Sequence, residues 1–334
     1  MQMAKVTEPV VYVIVLNWNH YEDTRKCIES LLAASYPALR ILIVDNGSAD
    51  RSGERLQADF PKLRFIFNEK NLGFSRGCNV GIRLALEDRD CAYVLLLNND
   101  ALVSPGFLEK AVETAELNSR IGMVGGKLFQ SPDSEVLSYA GGYVSRWRGQ
   151  TVVRGFGEID RGRYEEPCEV GFIIGALLLI KRQVLERVGL LPEEYFFGVE
   201  DLDYSLAVRR QGYKLFYVPQ FIAYHMGGGS QATWNLKYVY NSYRGKLILL
   251  QKYLPWGMFP LWKFLLMIYA RFIAGYRWRR LAKKHGYDRN SKVNYEEMEF
   301  AVLQAITDHN KDTLSEATLF RFDEALKQAR QKLR

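Results

Sequence analysis

The sequence predicts an α/β fold, with a mixed, mostly parallel sheet flanked by helices and a further helical region after it. Two observations predict this class. Up to residue 118, short apolar runs alternate with stretches of helical spacing, which is the pattern of repeated β-α units. The apolar runs are nearly continuous, as in strands covered on both faces. A chain of 334 residues, 48% of them hydrophobic, is long enough for one large core and an appended module.

The strands and helices of the first half can be placed in order. Strands are expected at the apolar runs, which are residues 10–16, 39–44, 63–67 and 92–97. Helices are expected where apolar residues recur three and four apart, at residues 23–34, 50–58, 75–86 and 105–118. Pro37 stops the first helix, since proline cannot continue it. Each strand is followed by a helix, which makes successive strands parallel.

The pattern loosens in the second half. Residues 131–166 are rich in Gly, Ser, Arg and aromatic residues and predict a loop or hairpin over the sheet edge. Further elements are expected at residues 170–180 (strand), 182–188 (helix), 200–211 (helix, closed by Gly212) and 214–218 (strand). We therefore expect one domain over residues 1–230 and a helical region over residues 231–334.

The charge of the chain is unevenly distributed. The net charge is +7, but residues 204–287 contain 14 Lys or Arg and no Asp or Glu, so the rest of the chain carries −7. A basic, aromatic-rich stretch of this kind favours contact with something anionic. Nucleic acid and an anionic membrane surface are the two candidates, and we expect the membrane and no nucleic acid.

Residues 254–276 are long and apolar enough to resemble a membrane span, but they contain Lys263 and Arg271, which are costly at a bilayer centre. On a helical wheel these cations fall with Arg277 and Lys284 on one arc of roughly 140°. An amphipathic helix lying in the membrane surface therefore fits better than a span. The alternatives are a helix packed on the domain or on a second subunit, which would make a homo-oligomer, and a true span.

The cysteines and the N-terminus bear on the compartment. The four cysteines show neither a CxxC pair nor regular spacing, which predicts small buried hydrophobic residues in a reducing cytosol. Residues 1–9 are polar and lack the apolar core of a signal peptide. We expect a cytoplasmic protein, peripheral to the inner face of the plasma membrane, that meets the membrane through residues 254–284.

Two acidic segments carry the strongest signal of chemistry. Residues 95–100 are an apolar run that ends in Asn98, Asn99 and Asp100, which is how a buried parallel strand delivers an acid to the ligand-binding edge of a sheet. Residues 196–203 (FFGVEDLD) are a carboxylate cluster among apolar residues. Together the segments suit a divalent cation and a general base, and thus group transfer from a nucleotide-activated donor.

Each of these acids has a structural alternative. Asp100 is expected to bind Mg²⁺ or Mn²⁺ bridging the donor phosphates, and would otherwise cap the next helix. Asp201 is expected to be the general base, with Glu200 as the second candidate. Glu200 and Asp203 would otherwise complement the dipole of a first helical turn. Asp203 is also a candidate contact to the acceptor.

Two further segments point to a nucleotide. Asp45 lies at a strand end, where a carboxylate can accept a hydrogen bond from the ring N–H of a pyrimidine base, although Asp-Asn-Gly-Ser is also a favourable turn. Residues 71–79 open a helix whose N-terminus favours a pyrophosphate, or else form a glycine-rich helix start packed on the sheet. The expected donor contacts are Asn17, Asp45, Asn71, Gly73, Arg76, Asn79, Asn98, Asn99 and Asp100.

His225 precedes the glycine run of residues 226–230. A lone His is more often a satisfied core residue, but the glycines predict a loop beside the site. We expect His225 to be a further metal ligand or a phosphate contact. Residues 131–166 are expected to govern the acceptor, with Trp147 as the named candidate.

Taken together, these segments resemble the family 2 inverting glycosyltransferases of the GT-A fold, in particular their rhamnosyltransferase-like branch. The resembling segments are residues 13–19 (VIVLNWN), 44–48 (VDNGS), 71–79, 96–100 (LLNND), 200–204 with 212–213, and 225–230. They follow the order of the family over residues 10–250, which makes the match specific. The chain departs from the family's DxD motif, because Asn98 stands at the first acidic position.

The resemblance implies a role for several residues. Asp45 would read a uracil or thymine base, and Asp100 would be the metal-binding acid of the DxD motif. Asp201 would be the base, and His225 would lie near the metal.

The resemblance also implies an activity. It is inverting transfer of L-rhamnose from dTDP-rhamnose to a hydroxyl of a lipid-linked or polysaccharide acceptor, with a UDP-hexose or UDP-GlcNAc donor as the alternative. The 1–230 domain would divide into a nucleotide-sugar half at 1–125 and an acceptor half at 126–230. Two other hypotheses remain. A sugar nucleotidyltransferase lacks its N-terminal glycine-rich loop here, and a basic binding module leaves the aspartates without a role.

Overall fold

The computed structural model describes residues 8–145, 150–226, 236–255, 257–274, 295–311 and 313–333. The chain divides into two compact units. The first unit comprises Met1–Pro192 and Glu200–Gly229, and the second comprises Glu193–Val199 and Ser230–Arg334. The short segment Glu193–Val199 thus belongs with the C-terminal helices, although it lies inside the stretch expected to form the first domain.

The first half of the first unit contains four parallel strands and three helices. They are β1 (Val10–Asn17), α1 (Tyr21–Leu32), β2 (Leu39–Asp45), α2 (Ser52–Asp59), β3 (Arg64–Phe67), α3 (Phe74–Glu87) and β4 (Cys91–Asn98). Strand β1 lies between β2 and β4, and β3 pairs with β2. The central strands are almost completely buried. The predicted β-α units of this half are therefore confirmed.

The second half completes a mixed sheet. Its elements are β5 (Ala101–Val103), α4 (Glu109–Glu116), β6 (Ile121–Phe129), β7 (Leu137–Tyr139), β8 (Gly142–Ser145), β9 (Gln150–Val153), β10 (Cys168–Val170), β11 (Leu177–Lys181), α5 (Arg182–Val188), α6 (Glu200–Arg210) and β12 (Lys214–His225). The strand order is β10-β12-β6-β11-β4-β1-β2-β3, with β5 on β12 and β7 on β6. Strand β11 is antiparallel to both neighbours, but the longest registers are parallel.

Two strand predictions need correction. The single strand expected at residues 170–180 is two strands, β10 and β11, because residues 171–176 carry no strand. Strand β6 is absent from the predictions because it contains three glycines, which weaken a strand. Gly126 is required there, since a Cβ at this position would lie 1.8 Å from the Phe221 carbonyl oxygen. The glycines thus permit the close approach of β6 to β12.

The second unit has its own apolar core. Its described elements are α7 (Leu236–Tyr253), α8 (Met258–Ile268), a π-helical segment (Tyr269–Ala274), α9 (Tyr295–Asp308) and α10 (Glu316–Leu333). The core includes Leu247 of α7, Leu266 of α8, Ala301 of α9 and Phe322 of α10, all buried. The C-terminal helices predicted from the sequence are therefore confirmed.

Within the apolar stretch at residues 254–276, the structure describes consecutive helix over residues 258–274, formed by α8 and the π-helical segment. Helix α7 ends at Tyr253, and α8 begins directly after Gly257, whose φ of +85° is left-handed. Arg277 and Lys284, two of the four cations expected on one arc, lie outside the described residues. Among the residues that the structure describes, no helix is long and apolar enough to cross a membrane.

Candidate active site

Polar side chains begin together at the carboxyl ends of three neighbouring strands. In the sheet register, Asn17 at the end of β1 lies beside Asp45 at the end of β2. Leu16 of β1 lies beside Asn98 at the end of β4. Because the three strands are parallel and in register, these polar residues share one edge of the sheet. Open α/β sheets bind their ligands at this edge.

Asp45 is buried and held in one orientation. Its Oδ1 accepts hydrogen bonds from Asn17 Nδ2 and Ser48 Oγ, both at 2.7 Å, and its Oδ2 accepts from the Ser48 backbone N–H at 3.0 Å. Gly53 packs so closely that a Cβ there would lie 2.6 Å from Asp45 Cγ. Oδ2 accepts one of these bonds and has the capacity to accept another.

A chain of buried hydrogen bonds connects Asp45 to the residue after β4. Asn17 Nδ2 donates to Asp45 and also to Ser52 Oγ at 2.8 Å. Asn17 Oδ1 accepts from Thr24 Oγ1 at 2.8 Å, and Thr24 Oγ1 accepts from Asn99 Nδ2 at 2.9 Å. Asn17 and Thr24 are fully buried. This polar chain, Asn99–Thr24–Asn17–Asp45, fixes the amide orientations, because each donor meets an acceptor.

The loop before α3 is tied to the same edge by Asn46. Its Nδ2 donates to Asn71 Oδ1 at 3.0 Å and to the Gly73 carbonyl at 3.2 Å, and its Oδ1 accepts from the Leu72 N–H at 3.1 Å. Gly73, with φ of +82°, is the residue from which α3 starts. The N-terminus of α3 is therefore held close to the end of β2.

Arg76 and Asn79 lie in the first two turns of α3. Arg76 is half-buried, and Asn79 is fully buried. Asn79 Nδ2 donates to the Leu191 carbonyl at 2.9 Å, and its Oδ1 accepts from the Leu191 N–H at 3.1 Å. These two bonds tie α3 to the segment after α5. They favour a structural role for Asn79, and its contact with a donor stays a prediction.

Asp100 and His225 meet because β5 pairs with the end of β12. His225 is in register with Ala101, and the Met226 N–H donates to the Asp100 carbonyl at 3.1 Å. His225 Nε2 lies 3.1 Å from Asp100 Oδ1 and 3.0 Å from Asn98 Nδ2. The fold thus brings together three of the residues that the sequence singles out.

His225 Nε2 has one hydrogen-bonding site but faces two partners. An Nε2–H would donate to Asp100, whereas an Nε2 lone pair would accept from Asn98 instead. A neutral Nε2 has a single lone pair, which can accept from Asn98 or bind a divalent cation but cannot do both. A cation bound by this nitrogen and by Asp100 Oδ1 would therefore replace the hydrogen bond from Asn98. The donor set therefore fits a cation.

The negative charge of Asp100 also suits a bound cation. Burial disfavours its ionised form, but the hydrogen bond and the charge of His225 outweigh burial and hold the pKa of this carboxyl below its ordinary value. Within the described parts of the chain, no group of three or more His, Cys, Asp or Glu side chains could hold a metal. A cation at Asp100 would therefore need phosphate oxygens and water as its remaining ligands.

Asp201, in the first turn of α6, lies next to the end of β4. Its Oδ2 accepts from the Gly175 N–H at 3.0 Å, and its Oδ1 accepts from the Leu202 N–H at 2.7 Å. The carbonyl of Ala176, the residue after Gly175, accepts from the Asn98 N–H at 3.2 Å. Burial raises the pKa of Asp201, although the backbone hydrogen bonds oppose that shift. A carboxylate with a raised pKa is a stronger base.

Glu200 and Asp203 occupy the same first turn and are buried. Their charges complement the helix dipole there, as the structural alternative expects. Asp203 has no exposed surface, which speaks against its predicted contact with an acceptor. Trp147 lies outside the described residues. The base role of Glu200 and both acceptor contacts stay predictions.

Thr24, Ser48 and Ser52 are absent from the predictions. Thr24 lies three residues before Cys27 and four before Ile28, on the buried stripe of α1. A polar residue on an otherwise apolar stripe is the signal that could have found it. The two serines gave no such signal, because serine is common in any turn.

A family model described as Glycosyl transferase family 2 matches residues 12–189, which is more than half of the chain. The matched region runs from β1 to the end of α5. It includes Asp45 and Asp100 but stops before Asp201 and His225.

Two curated relatives illustrate the similarity. The chain is 27% identical over 233 residues to an N-acetylglucosaminyl-diphospho-decaprenol L-rhamnosyltransferase of Mycobacterium tuberculosis, covering 65% of this chain and 76% of the relative. It is 29% identical over 209 residues to an uncharacterized glycosyltransferase, EpsJ, of Bacillus subtilis, covering 61% of this chain and 57% of the relative.

Two solved structures share the fold. One is GalNAc-T7 with UDP, GalNAc and Mn²⁺, at a TM-score of 0.56 and 14% identity, covering 90% of this chain and 57% of that chain. The other is the mannosyltransferase PcManGT from Pyrobaculum calidifontis with GDP-Man and Mn²⁺, at a TM-score of 0.53 and 16% identity, covering 91% of this chain and 88% of that chain. Such low identities show the GT-A fold alone. The family match establishes that the chain belongs to glycosyl transferase family 2 and is a glycosyltransferase, and its fold is that of the GT-A glycosyltransferases.

Proposed function

We propose that the chain is an inverting glycosyltransferase that binds a nucleotide-sugar along the carboxyl edge and uses Asp201 as its base. The observation that carries this proposal is the convergence of three carboxylates on that edge. Asp45 ends β2, Asp100 follows β4 and contacts His225, and Asp201 is bonded to Gly175 beside the end of β4. Three carboxylates suit such a donor. Asp45 would bind the nucleobase, Asp100 would bind a cation on the diphosphate, and Asp201 would accept the proton of the acceptor hydroxyl.

The proposed step is a single displacement. Asp201 takes the proton of the acceptor hydroxyl, and the hydroxyl oxygen bonds to the anomeric carbon. The bond from that carbon to the diphosphate oxygen breaks, and its electron pair leaves on the nucleoside diphosphate. Attack opposite the leaving group inverts the anomeric centre. The raised pKa of Asp201 supports this role, because a stronger base accepts the proton more readily.

Mg²⁺ or Mn²⁺ is the proposed cofactor, with Asp100 and His225 as the residues that hold it. A cation here would neutralise charge on the departing diphosphate. Asn98 stands where a second carboxylate of a full DxD motif would be. We therefore expect weak affinity for the free ion and tighter binding once a nucleotide contributes phosphate ligands.

The proposed donor is dTDP-L-rhamnose, with a UDP-hexose or UDP-GlcNAc as the second candidate. The Mycobacterium tuberculosis relative supports rhamnose, since its name describes an L-rhamnosyltransferase. The same name includes a diphospho-decaprenol, which supports a lipid-linked acceptor in cell-surface glycan synthesis. No contact with nucleic acid and no second subunit is needed for this reaction.

An exposed apolar surface supports contact with a membrane. Helix α8 and the π-helical segment bury Leu266 and Ala270 in the core of the second unit. Four other apolar side chains are each more than half exposed, namely Leu261, Phe264, Leu265 and Phe272. Lys263 contacts His309 within the second unit. Arg271 pairs with Glu299 but is well exposed beside Phe272, so its apolar stem can lie on the apolar surface while its guanidinium stays in an anionic headgroup layer. We propose that this surface, the α8 surface, lies on the cytoplasmic face of the plasma membrane.

Vesicle sedimentation tests the α8 surface. The double substitution Phe264→Ser and Phe272→Ser removes two exposed rings, so we expect it to abolish most binding to vesicles containing anionic lipid. Phe320→Ser is the matched control, because Phe320 is also exposed but lies on α10. Equal sedimentation of the double variant and the wild type would contradict membrane contact through α8.

Product analysis tests the reaction. The protein is incubated with dTDP-rhamnose, UDP-glucose or UDP-GlcNAc and a polyprenyl-diphosphate-linked sugar, and the products are followed by NMR. We expect release of one nucleoside diphosphate per glycoside formed, with the anomeric configuration inverted. A retained configuration would contradict Asp201 as the base in a single displacement. Release of pyrophosphate would indicate a nucleotidyltransferase instead.

A further inference from the structure

A second cluster of charged residues lies in the C-terminal unit. A cavity of about 250 Å³ is lined by Tyr240, Arg244, Gln304, Asp308, Lys311, Thr318 and Arg321. These residues come from α7, α9, α10 and the connection between α9 and α10. All belong to the second unit, and the reaction proposed at the carboxyl edge uses none of them. Three of the side chains are cationic and one is a carboxylate, so the lining is positively charged.

Arg244 is the unusual member of this lining, because it is fully buried. A buried guanidinium is costly unless hydrogen bonds and negative charge compensate it. Its Nη1 donates to Tyr240 Oη at 3.1 Å. Burial of His309 and the charges of Lys263 and Arg244 together lower the pKa of that imidazole. With three cations and one carboxylate, the lining of the cavity has a positive formal charge.

The single carboxylate of the lining is engaged within the cluster. Asp308 Oδ1 lies 2.6 Å from Lys311 Nζ, while its Oδ2 accepts from Tyr240 Oη at 3.1 Å and from Gln304 Nε2 at 2.8 Å. Burial opposes its ionisation, but these hydrogen bonds hold the pKa of Asp308 below its ordinary value. Asp308 is thus ionised at neutral pH and offsets one of the three positive charges.

We propose that this cavity binds a phosphate-type anion, with Arg244 as its buried cation and Lys311 and Arg321 as cations at its rim. The guanidinium groups are planar donors that match phosphate oxygens. The Gln304 amide donates one N–H to Asp308 and has a second N–H as a neutral donor. The anion comes either from a free phosphate compound or from the headgroup of a phosphorylated lipid. The site is separate from the donor site and does not depend on the proposed reaction.

Calorimetric titration of the full chain with inorganic pyrophosphate in EDTA tests the proposal, since EDTA removes any cation from Asp100. We expect saturable binding that weakens at least fivefold in Lys311→Gln and in Arg321→Gln. These rim residues are exposed, so both variants should fold. Lys327→Gln is the matched control, because Lys327 is an exposed cation of α10 outside the cavity.

Two results would overturn the proposal. One is no binding to the wild type, and the other is equal binding to both rim variants and the wild type. Asp100→Ala separates this site from the carboxyl edge, since pyrophosphate binding lost in that variant would also overturn the proposal. Competition by a polyprenyl phosphate in micelles identifies a lipid headgroup as the source. Its failure to compete identifies a free phosphate compound, and either outcome accords with the anion site.

Discussion

Around Asp45, the buried polar groups are joined in a complete chain of hydrogen bonds, whereas around Asp100 two groups compete for one nitrogen of His225. The Asp45 side is ordered by the protein alone, through Asn17 and Thr24. The Asp100 side has an ionised carboxylate and an imidazole. A cation with a bound diphosphate would provide the missing interactions for both groups. The same edge of the sheet therefore has one side whose hydrogen bonds are all satisfied by the protein and one side whose polar groups still need a ligand.

The two sides would contribute differently to binding of the proposed donor. Side chains that are already held by hydrogen bonds lose little conformational entropy when a ligand binds, so the Asp45 side suits the proposed selection of the nucleoside. A site completed by the ligand couples the cation to the donor, so each binds better in the presence of the other. Four predictions test this contrast, and removal of the proposed base is expected to have the largest effect.

The largest effect is expected for Asp201→Asn. General bases contribute about 10²- to 10⁴-fold in rate, so turnover should fall by a factor in that range while nucleotide affinity is kept. Steady-state kinetics and nucleotide titration measure the two quantities. Glu200→Gln is the control from the same helical turn, and it should keep far more activity. A variant Asp201→Asn that turns over like the wild type would exclude Asp201 as the base.

Asp100→Ala should affect the cation-dependent part of nucleotide binding. We expect the affinity for a nucleoside diphosphate in Mn²⁺ to fall at least about tenfold, or ~1.4 kcal/mol. In EDTA, wild type and variant should bind alike, because the Asp45 side is unchanged. Calorimetry under the two conditions provides the comparison. Unchanged affinity in Mn²⁺ would remove Asp100 from the proposed metal site.

Thr24→Val breaks the polar chain without changing side-chain volume. Asn17 then loses the donor to its Oδ1, and Asn99 loses its acceptor, so nucleoside affinity should fall by about 1–2 kcal/mol. The loss should be the same in Mn²⁺ and in EDTA, which distinguishes it from the effect of Asp100→Ala. Thr114→Val is the control, because Thr114 is a buried threonine of α4. Equal affinities for Thr24→Val and Thr114→Val would show that the chain does not orient Asp45.

The pH dependence should reflect the opposite shifts of the two acids. Burial raises the pKa of Asp201, so its base form, and with it turnover, should be lost on the acid side at a pH above that of an ordinary aspartate. The pKa of Asp100 is lowered, so its carboxylate should stay ionised through that range. The profile of turnover against pH, measured at saturating donor, checks the position of the acid limb. An acid limb at or below the pH of an ordinary aspartate would contradict Asp201 as the base.

Sequence patterns were sufficient for the parallel half of the sheet and for much of the edge. Buried apolar runs ending in Asp45 and Asp100 identify strand ends directly, because few other arrangements produce that pattern. Strand β6 was not predicted, because its glycines permit a close contact with Phe221, a residue far away in sequence. Thr24 was not predicted for a related reason. Its partners, Asn17 and Asn99, come from other segments, and only the folded chain shows that they meet.

Thermal stabilisation by nucleotides tests the central claim most directly. The protein is melted with dTDP, UDP, ADP or GDP, each in Mn²⁺ and in EDTA. Ligands that bind only the folded state stabilise it by ~2.7 kcal/mol at 100 times their Kd. We predict that dTDP or UDP raises the melting temperature much more in Mn²⁺ than in EDTA, and more than the purine nucleotides do. Equal stabilisation by all four nucleotides, or none by any of them, would contradict a pyrimidine nucleotide site completed by a cation.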